Sequence, residues 1–392
     1  MFSTRGRTFA LAAVTFATFV DIVAYSIAVP VLPDLSQRVG ASPTTIGLLF
    51  ASFGVTLLTV SIPMGSISDR IGRRGPLAGG LVLLAGATAV FGLTDWLPAL
   101  FAARMLQGAA DAMTWVVGFA LIADLYESSE RSRVTGIVMA SSSFAYMLGP
   151  SIGGWLYQWG GARLPFLALA ALSLAGAVLF AGIESSARHS ETEPVPLAAI
   201  LREPAVLACT CVVLAVGSTL SMYEPVFALH LQTRAGLGPA RIGLVFAAAA
   251  LANVGLHPLF GYVADKVGAR RQAIVGMGVM AATLPFVARA WSFESAVALN
   301  TLEALAVAIV VTPSLTYMAD AVSSVGLGTF GVAYGLYNMA WGAGMLMGPA
   351  AGGYLYERLG FERLALVWAP ALALAMILVA AVQSRPIAPE RT

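Results

Sequence analysis

The chain has 392 residues, of which 58% are hydrophobic and only 11% charged, with a mean hydropathy of +0.83. Soluble proteins average about 25% charged residues, so this composition cannot cover a water-facing surface and lipid must face most of it. A net charge of +2 is too small to argue for nucleic acid as a partner.

Apolar runs of about 20 residues read as membrane helices. In chain order they fall at 8–32, 44–66, 76–94, 98–123, 134–157, 164–183, 205–230, 241–262, 273–290, 296–319, 329–353 and 364–383. These are twelve spans, six in each half of an all-α membrane protein. The longest polar stretch, SSARHSETEP, lies in 184–204 and marks that segment as the linker. The N-terminal half is then 1–183 and the C-terminal half 205–392. The first apolar run is too long for a secretory signal, and no small-residue cleavage site follows it. Cys209 and Cys211, two apart in one helical run, face apart, which argues against a disulfide or a metal site.

The halves repeat one another. MLGPSIGGWLY at 147–157 matches LMGPAAGGYLY at 346–356, and GSISDRIGRR from Gly65 matches GYVADKVGAR from Gly261. Asp124 and Asp320, each after an Ala at the end of an apolar run, keep the same spacing. With the N-terminus inside, the inner segments carry 14 Lys and Arg and the outer loops 7, counted along the chain. Basic residues hold short loops on the cytoplasmic side, so both termini and the linker are predicted to be cytoplasmic. Such paired halves bind their cargo between them, near mid-membrane.

The inner loops after spans 2 and 8 carry Asp69, Arg70 and Arg73 in one copy and Asp265 and Lys266 in the other. Their shared spacing predicts a latch that ties helix ends in one state and parts in the other; the plainer reading is that the charges only set topology. Gly149-Pro150 and Gly348-Pro349 bend spans 5 and 11 and let neighbours approach closely. They are either a gate or ordinary close packing.

An ionisable group at mid-membrane costs roughly 2.5–3.5 kcal/mol on insertion scales, which makes it a functional candidate. Asp21 in span 1, with Tyr25 one turn on, and Glu224 in span 7 are the leading two. An acid with no lysine near it suits proton exchange or pairing with a cationic ligand. Arg104 and Asp111 share a face of span 4, two turns apart. Arg104 must find an acceptor, either as a packing ion pair with an acid such as Asp21 or as a gating group. Glu303 and His257 read as hydrogen-bonded structural groups. Tyr334, Asn338 and Trp341 lie on one face of span 11, which either binds a cation through its rings or simply packs.

The segments DIVAYSIAVPVLPDL, GSISDRIGRRG, ARMLQG, LGPSIGGWLY and YEPVFALHL together resemble the major facilitator superfamily. The likeness is to its twelve-helix drug–proton antiporter branch, and within that to the vesicular monoamine transporters. The resemblance covers nearly all the chain and implies two pseudo-symmetric six-helix halves, alternating access and exchange of protons for a cationic amine or drug. Carried over by motif, Asp21, Glu224 and Asp320 are the family's acids of spans 1, 7 and 10, and Arg104 its span-4 arginine. The family's span-2 lysine is replaced by Phe53 and its span-11 aspartate by Asn338, so both members of a charge pair are lost together. The family's long loop after span 1 is also absent.

The reading is therefore a monomeric exporter in a bacterial inner (plasma) membrane. Asp21, Glu224, Asp111 and Asp320 couple protons. Asp21, Tyr25, Tyr223, Glu224, Tyr334, Asn338 and Trp341 line the cargo site. Protons are the coupling ion, and no cofactor or metal is expected. Export of neutral solutes, and a receptor that moves nothing, remain the alternatives.

Overall fold

The computed structural model describes residues 4–182, 203–323 and 330–382. All but the last two residues of the predicted linker lie outside these. The described residues form α1 (Thr4–Ser26), a 3-10 turn (Val29–Val31), α2 (Leu32–Val39), α3 (Pro43–Ile71), α4 (Arg74–Leu93), α5 (Leu97–Leu125), α6 (Ser128–Gly160) and α7 (Leu164–Ala181). The C-terminal half follows as α8 (Pro204–Ala235), α9 (Pro239–Val267), α10 (Ala269–Val287) and α11 (Phe293–Ser323), then one helical stretch, Phe330–Ala381. Gly360, at φ 73° and ψ 168°, breaks that stretch into α12 (330–359) and α13 (361–381).

Punctuation in the sequence sets these boundaries. A proline stands in the first turn of α3, α5, α7, α8 and α9, where its missing N–H has no helical partner to lose. Gly40, Gly72, Gly161, Gly236, Gly268 and Gly360 turn the chain at positive φ between helices. Pro30 and Pro33 break span 1, so α1 and α2 form one bent crossing. Counted with that bend, the described helices make twelve crossings.

Seven helical stretches are long and apolar enough to cross a membrane by themselves, and two bent pairs bring this to nine. That count takes α12 with α13 as one stretch and α6 with α7 as one bent pair, and it omits α10. Ser141, Ser142 and Ser143 interrupt α6, and α10 opens Ala-Arg-Arg-Gln. The first half packs around Val14, Phe50, Leu81, Leu100 and Phe180, and the second around Val213, Met277, Val310 and Phe227, all with no more than 1% of their surface exposed.

The two halves meet along α3 with α12 and along α6 with α9. The closest approach is backbone on backbone, at the end away from the chain termini. A methyl placed on Gly47 falls 3.0 Å from Gly353 Cα, and one on Gly154 falls 3.0 Å from Gly243 Cα. The two seams are copies of each other: Gly353 lies against the Pro43 carbonyl and Gly154 against the Pro239 carbonyl. Within each half, Gly149 and Gly153 pack on Ser26 and Ile27 of the first crossing, and Gly348 and Gly352 on Ser218 and Met222 of the seventh. Each GPxxGG stretch thus has two sides, one turned to its own half and one to the partner half.

Polar contacts close the same end. Gln37 Nε2 donates to Gln232 Oε1 at 3.2 Å, and the Thr44 amide donates to Glu357 Oε2 at 2.9 Å. Toward the end that holds the termini, Gly136 of α6, Gly261 of α9 and Gly335 of α12 meet nothing within 4 Å.

Candidate functional site

Asp21 lies inside α1, 2% exposed. Thr114 of α5 donates its hydroxyl to Asp21 Oδ2 at 2.7 Å, while Oδ1 takes no hydrogen bond among the described residues, with Asp111 and Trp115 beside the carboxyl. Asp111, one turn before Thr114, is also buried and sits beside Asp21. Glu224 approaches from the other half on α8, 5% exposed. The Tyr146 side chain of α6 lies beside it, and Glu224 Oε2 takes no hydrogen bond among the described residues.

Tyr25 stands among these acids. It meets Phe53 edge-on at 5.1 Å and Phe50 at 5.8 Å. Its ring lies nearly parallel to Tyr146, with centroids 6.3 Å apart and planes 14° apart. Phe53, where the resemblance placed a lysine, completes this aromatic wall instead of a charge pair.

Arg104 departs from the expectation of an ion pair. It is 1% exposed, and no carboxylate pairs with it among the described residues. Its Nη1 donates to Gln107 Oε1 at 3.2 Å, and Gln107 in turn donates to Thr88 Oγ1 at 3.0 Å. The guanidinium is enclosed by rings instead, 4.1 Å from the Phe50 centroid, 4.8 Å from Phe91 and 5.7 Å from Tyr25. Ring faces are electron-rich and hold a cation by their quadrupoles.

The structure thus gathers Asp21, Asp111, Tyr25, Arg104 and Glu224 into one buried centre. It sets others apart. Tyr223, next to Glu224 in sequence, turns into the C-terminal half, where its hydroxyl donates to Asn300 Oδ1 at 2.7 Å and its ring stacks on Phe227. Trp341 packs against both halves and stacks on Tyr337 at 6.1 Å. Asn338 is half-buried, and the Tyr334 side chain lies outside the described residues. Asp320 is exposed near the terminal end of α11, away from the centre. Sequence reading missed Tyr146 and Thr114. The only signals were Thr114 three residues after Asp111, on its face, and Tyr146 one turn before Gly149-Pro150.

Of the two loops read as a latch, the first holds a charge cluster. Arg73, 5% exposed, is held by Asp69 at 2.6 Å, Asp124 at 2.9 Å and the Ser68 hydroxyl at 2.6 Å. Arg70 points to the exterior. The second copy has Ala269 where the first has Arg73, so its acid lacks that cation. Asp265 is exposed and in no ion pair among the described residues, and Lys266 lies over the Tyr262 ring at 4.4 Å. Arg270 caps the end of α13, donating to the carbonyls of Val379 at 3.0 Å and Ala380 at 3.2 Å, and to Val382.

Comparisons with known proteins agree with this architecture. Residues 14–236 and 209–392 each match the model of the Major Facilitator Superfamily. The chain is 31% identical over 396 residues to the probable vesicular acetylcholine transporter-B of Danio rerio, covering 94% of this chain and 80% of that protein. It is 27% identical over 319 residues to the synaptic vesicular amine transporter of Homo sapiens, covering 81% of this chain and 62% of that protein. Among solved structures, a bacterial homolog of the human lysosomal transporter Spinster, inward-facing and unoccupied, superposes with a TM-score of 0.74 over 97% of this chain and 95% of that one. At 15% identity that likeness concerns the fold alone. On the repeated match, and on twelve crossings arranged as two seamed halves, the chain belongs to the Major Facilitator Superfamily.

Proposed function

We propose that this protein is a proton-coupled antiporter that exports small cationic, aromatic amines by alternating access. One observation carries the reading. Two buried carboxyls, Asp21 and Glu224, approach from opposite halves, each with one oxygen that takes no hydrogen bond among the described residues, beside the aromatic wall of Tyr25, Tyr146 and Phe53. An orphaned buried carboxylate oxygen is strongly unfavourable unless a proton or a cation satisfies it. The relatives' names, vesicular acetylcholine and amine transporters, favour an amine as that cation.

The chemistry follows from competition. Asp21 and Asp111 lie side by side in a low-dielectric interior, where two carboxylates do not both ionise easily, so the pair suits holding one proton between them. Glu224 takes either a proton or the ammonium group. Because both ligands use the same acids, proton binding releases the amine and amine binding releases protons, which is all that exchange requires thermodynamically. Arg104, caged in rings, keeps a fixed positive charge that repels cargo from the far side of Tyr25. Asp320, exposed near the terminal end, stands outside this exchange set.

With both termini cytoplasmic, the glycine seams close the outer end and the cargo site faces inward. In this reading the seam glycines, Pro150 and Pro349 are the outer gate, and the Arg73 cluster ties the inner ends of α3 and α5. The membrane is a bacterial plasma membrane.

The test is purified protein in liposomes under a pH gradient, with a trapped pH dye reporting proton movement while serotonin-like amines are added. Proton efflux is expected only with substrate, and Asp21→Asn and Glu224→Gln are each expected to abolish it. Efflux untouched by both substitutions would remove these acids from the mechanism, and no efflux with any cation would redirect the search to neutral solutes.

A further inference from the structure

We propose that the inner ends of α1 and α6 form a binding site for one anionic phospholipid, its acyl chain in a groove between the helices and its phosphate held by Arg5 and Arg133. The inference stands apart from the antiport reading and holds whatever the cargo is. The two helices leave a groove of about 430 Å³, whose lining includes Thr8, Ala12, Phe16 and Phe19 of α1 and Ile137 and Ser141 of α6. Thr8, Ala12 and Ile137 are exposed. Phe16 packs on Gly176 of α7, which closes the third side.

The groove opens to lipid and not to the central site. On α6, Gly154 meets the partner half, and at 3.6 residues per turn Ser141 lies about 220° around the helix from it. The depth is that of one leaflet. At a rise of 1.5 Å per residue, Thr8 to Phe19 spans about 17 Å, close to half of a hydrocarbon core of roughly 30 Å. No charged side chain lines the groove, so it suits a hydrocarbon chain and offers nothing to a charged cargo.

Charge complementarity identifies the headgroup. Both lining stripes run on, at helical spacing, to an arginine at the mouth nearest the N-terminus. Arg5 lies two turns before Ala12 on α1, and Arg133 lies one turn before Ile137 and two before Ser141 on α6. Each is exposed and in no ion pair among the described residues. Glu130, in the first turn of α6, is engaged by Arg7 at 2.6 Å, and that bridge ties the two helix starts together at the mouth. A guanidinium matches phosphate oxygens in a two-pronged fork. Basic residues at inner helix ends also set topology, but topology alone does not require them to stand in line with an apolar groove. A seated chain rests on Phe19, two residues before Asp21, and so stiffens the first crossing where it carries an acid of the central site.

The experiment uses the whole protein, delipidated in detergent, with phosphatidylglycerol and phosphatidylcholine of identical chains as probes. Native mass spectrometry reads the lipid retained, and thermal unfolding first establishes that each variant is folded. Wild type is expected to hold phosphatidylglycerol about thirtyfold tighter than phosphatidylcholine, the worth of two basic groups at an anionic surface. Arg5→Gln combined with Arg133→Gln is expected to abolish that preference. Arg74→Gln combined with Arg271→Gln removes the same charge from exposed positions away from the groove and is expected to keep it. Ile137→Trp fills the groove and is expected to weaken retention of both lipids. Equal retention of the two lipids by wild type overturns the proposal, because ordinary lipid coating has no such preference. Equal losses in the two double variants, or undiminished retention in Ile137→Trp, overturn it as well. None of these outcomes bears on the transport reading.

Discussion

Asp21, in the central site, takes its hydrogen bond from a neutral donor on a neighbouring helix. Thr114 holds Asp21 Oδ2 at 2.7 Å, and the same hydroxyl approaches the Asp111 carbonyl oxygen at 3.0 Å. Thr114→Val keeps the shape of the side chain but leaves a second oxygen of Asp21 unsatisfied. The expected cost is about 1–3 kcal/mol, read as a lower unfolding temperature in detergent, with transport lost. Thr114→Ser keeps the hydroxyl and is expected to retain most of both. Equal behaviour of the two variants would show that the hydrogen bond is immaterial. Arg104 teaches the complementary lesson. Sequence reading asked for a carboxylate beside it, and the protein supplies Phe50, Phe91 and Tyr25 instead. Rings from three helices cannot be recognised as a cage until the helices are placed, whereas a charge in an apolar run is visible at once.

At the scale of the element, the repeat is faithful in geometry and free in chemistry. Gln107 donates to Thr88 between α5 and α4, and Glu303, which matches Gln107 in the repeat, accepts at 2.6 Å from Thr283 of α10, one position before the match of Thr88. A helix-to-helix bond to a threonine is kept, while the amide donor becomes a carboxyl acceptor. The loop motif diverges further, because Ala269 occupies the place of Arg73. Removing Arg73, whose side chain is 6% exposed, strands Asp124, at 12%, and Asp69. Breaking a buried charge cluster on one side costs about 3–5 kcal/mol. Arg73→Ala is therefore expected to destabilise the fold by about 3 kcal/mol, allowing for the half-exposed Asp69. Asp265→Ala in the second copy is expected to stay within about 0.5 kcal/mol, as exposed sites do. Thermal unfolding of the two variants side by side decides it; similar losses would mean the second copy has a partner of its own. The matched motifs in the sequence correctly announced two loops of one kind. That one carries a cluster and the other a helix cap by Arg270 depends on a single residue next to the motif.

For the whole molecule, the sequence was informative about architecture and poor about contact between halves. Run lengths and the 147–157 and 346–356 pair pointed to twelve crossings in two sets of six. Nothing in a linear pattern tells that Tyr146 lies beside Tyr25, since an aromatic residue in a membrane helix is ordinarily packing and its neighbour is on another helix. The closed end offers a direct check on alternating access. Gln37 and Gln232 touch across the halves at 3.2 Å. A short bifunctional maleimide joining Gln37→Cys to Gln232→Cys is expected to form readily and to arrest transport while leaving cargo binding intact. Continued transport in the linked protein would show that this end never opens. The seam itself has a further consequence. Each half contributes one glycine-rich ridge, α6 or α12, and one receiving strip, α3 or α9, and the ridge of either fits the strip of the other through the same residues in the same order. Such a surface is isologous: a single six-helix unit already carries everything needed to mate with a second copy of itself. Doubling one gene would then have yielded a closed carrier in one step, with both seams correct from the start. Only afterwards could Glu357 and its counterpart Gln158, or Arg73 and Ala269, drift apart to give the two sides different work.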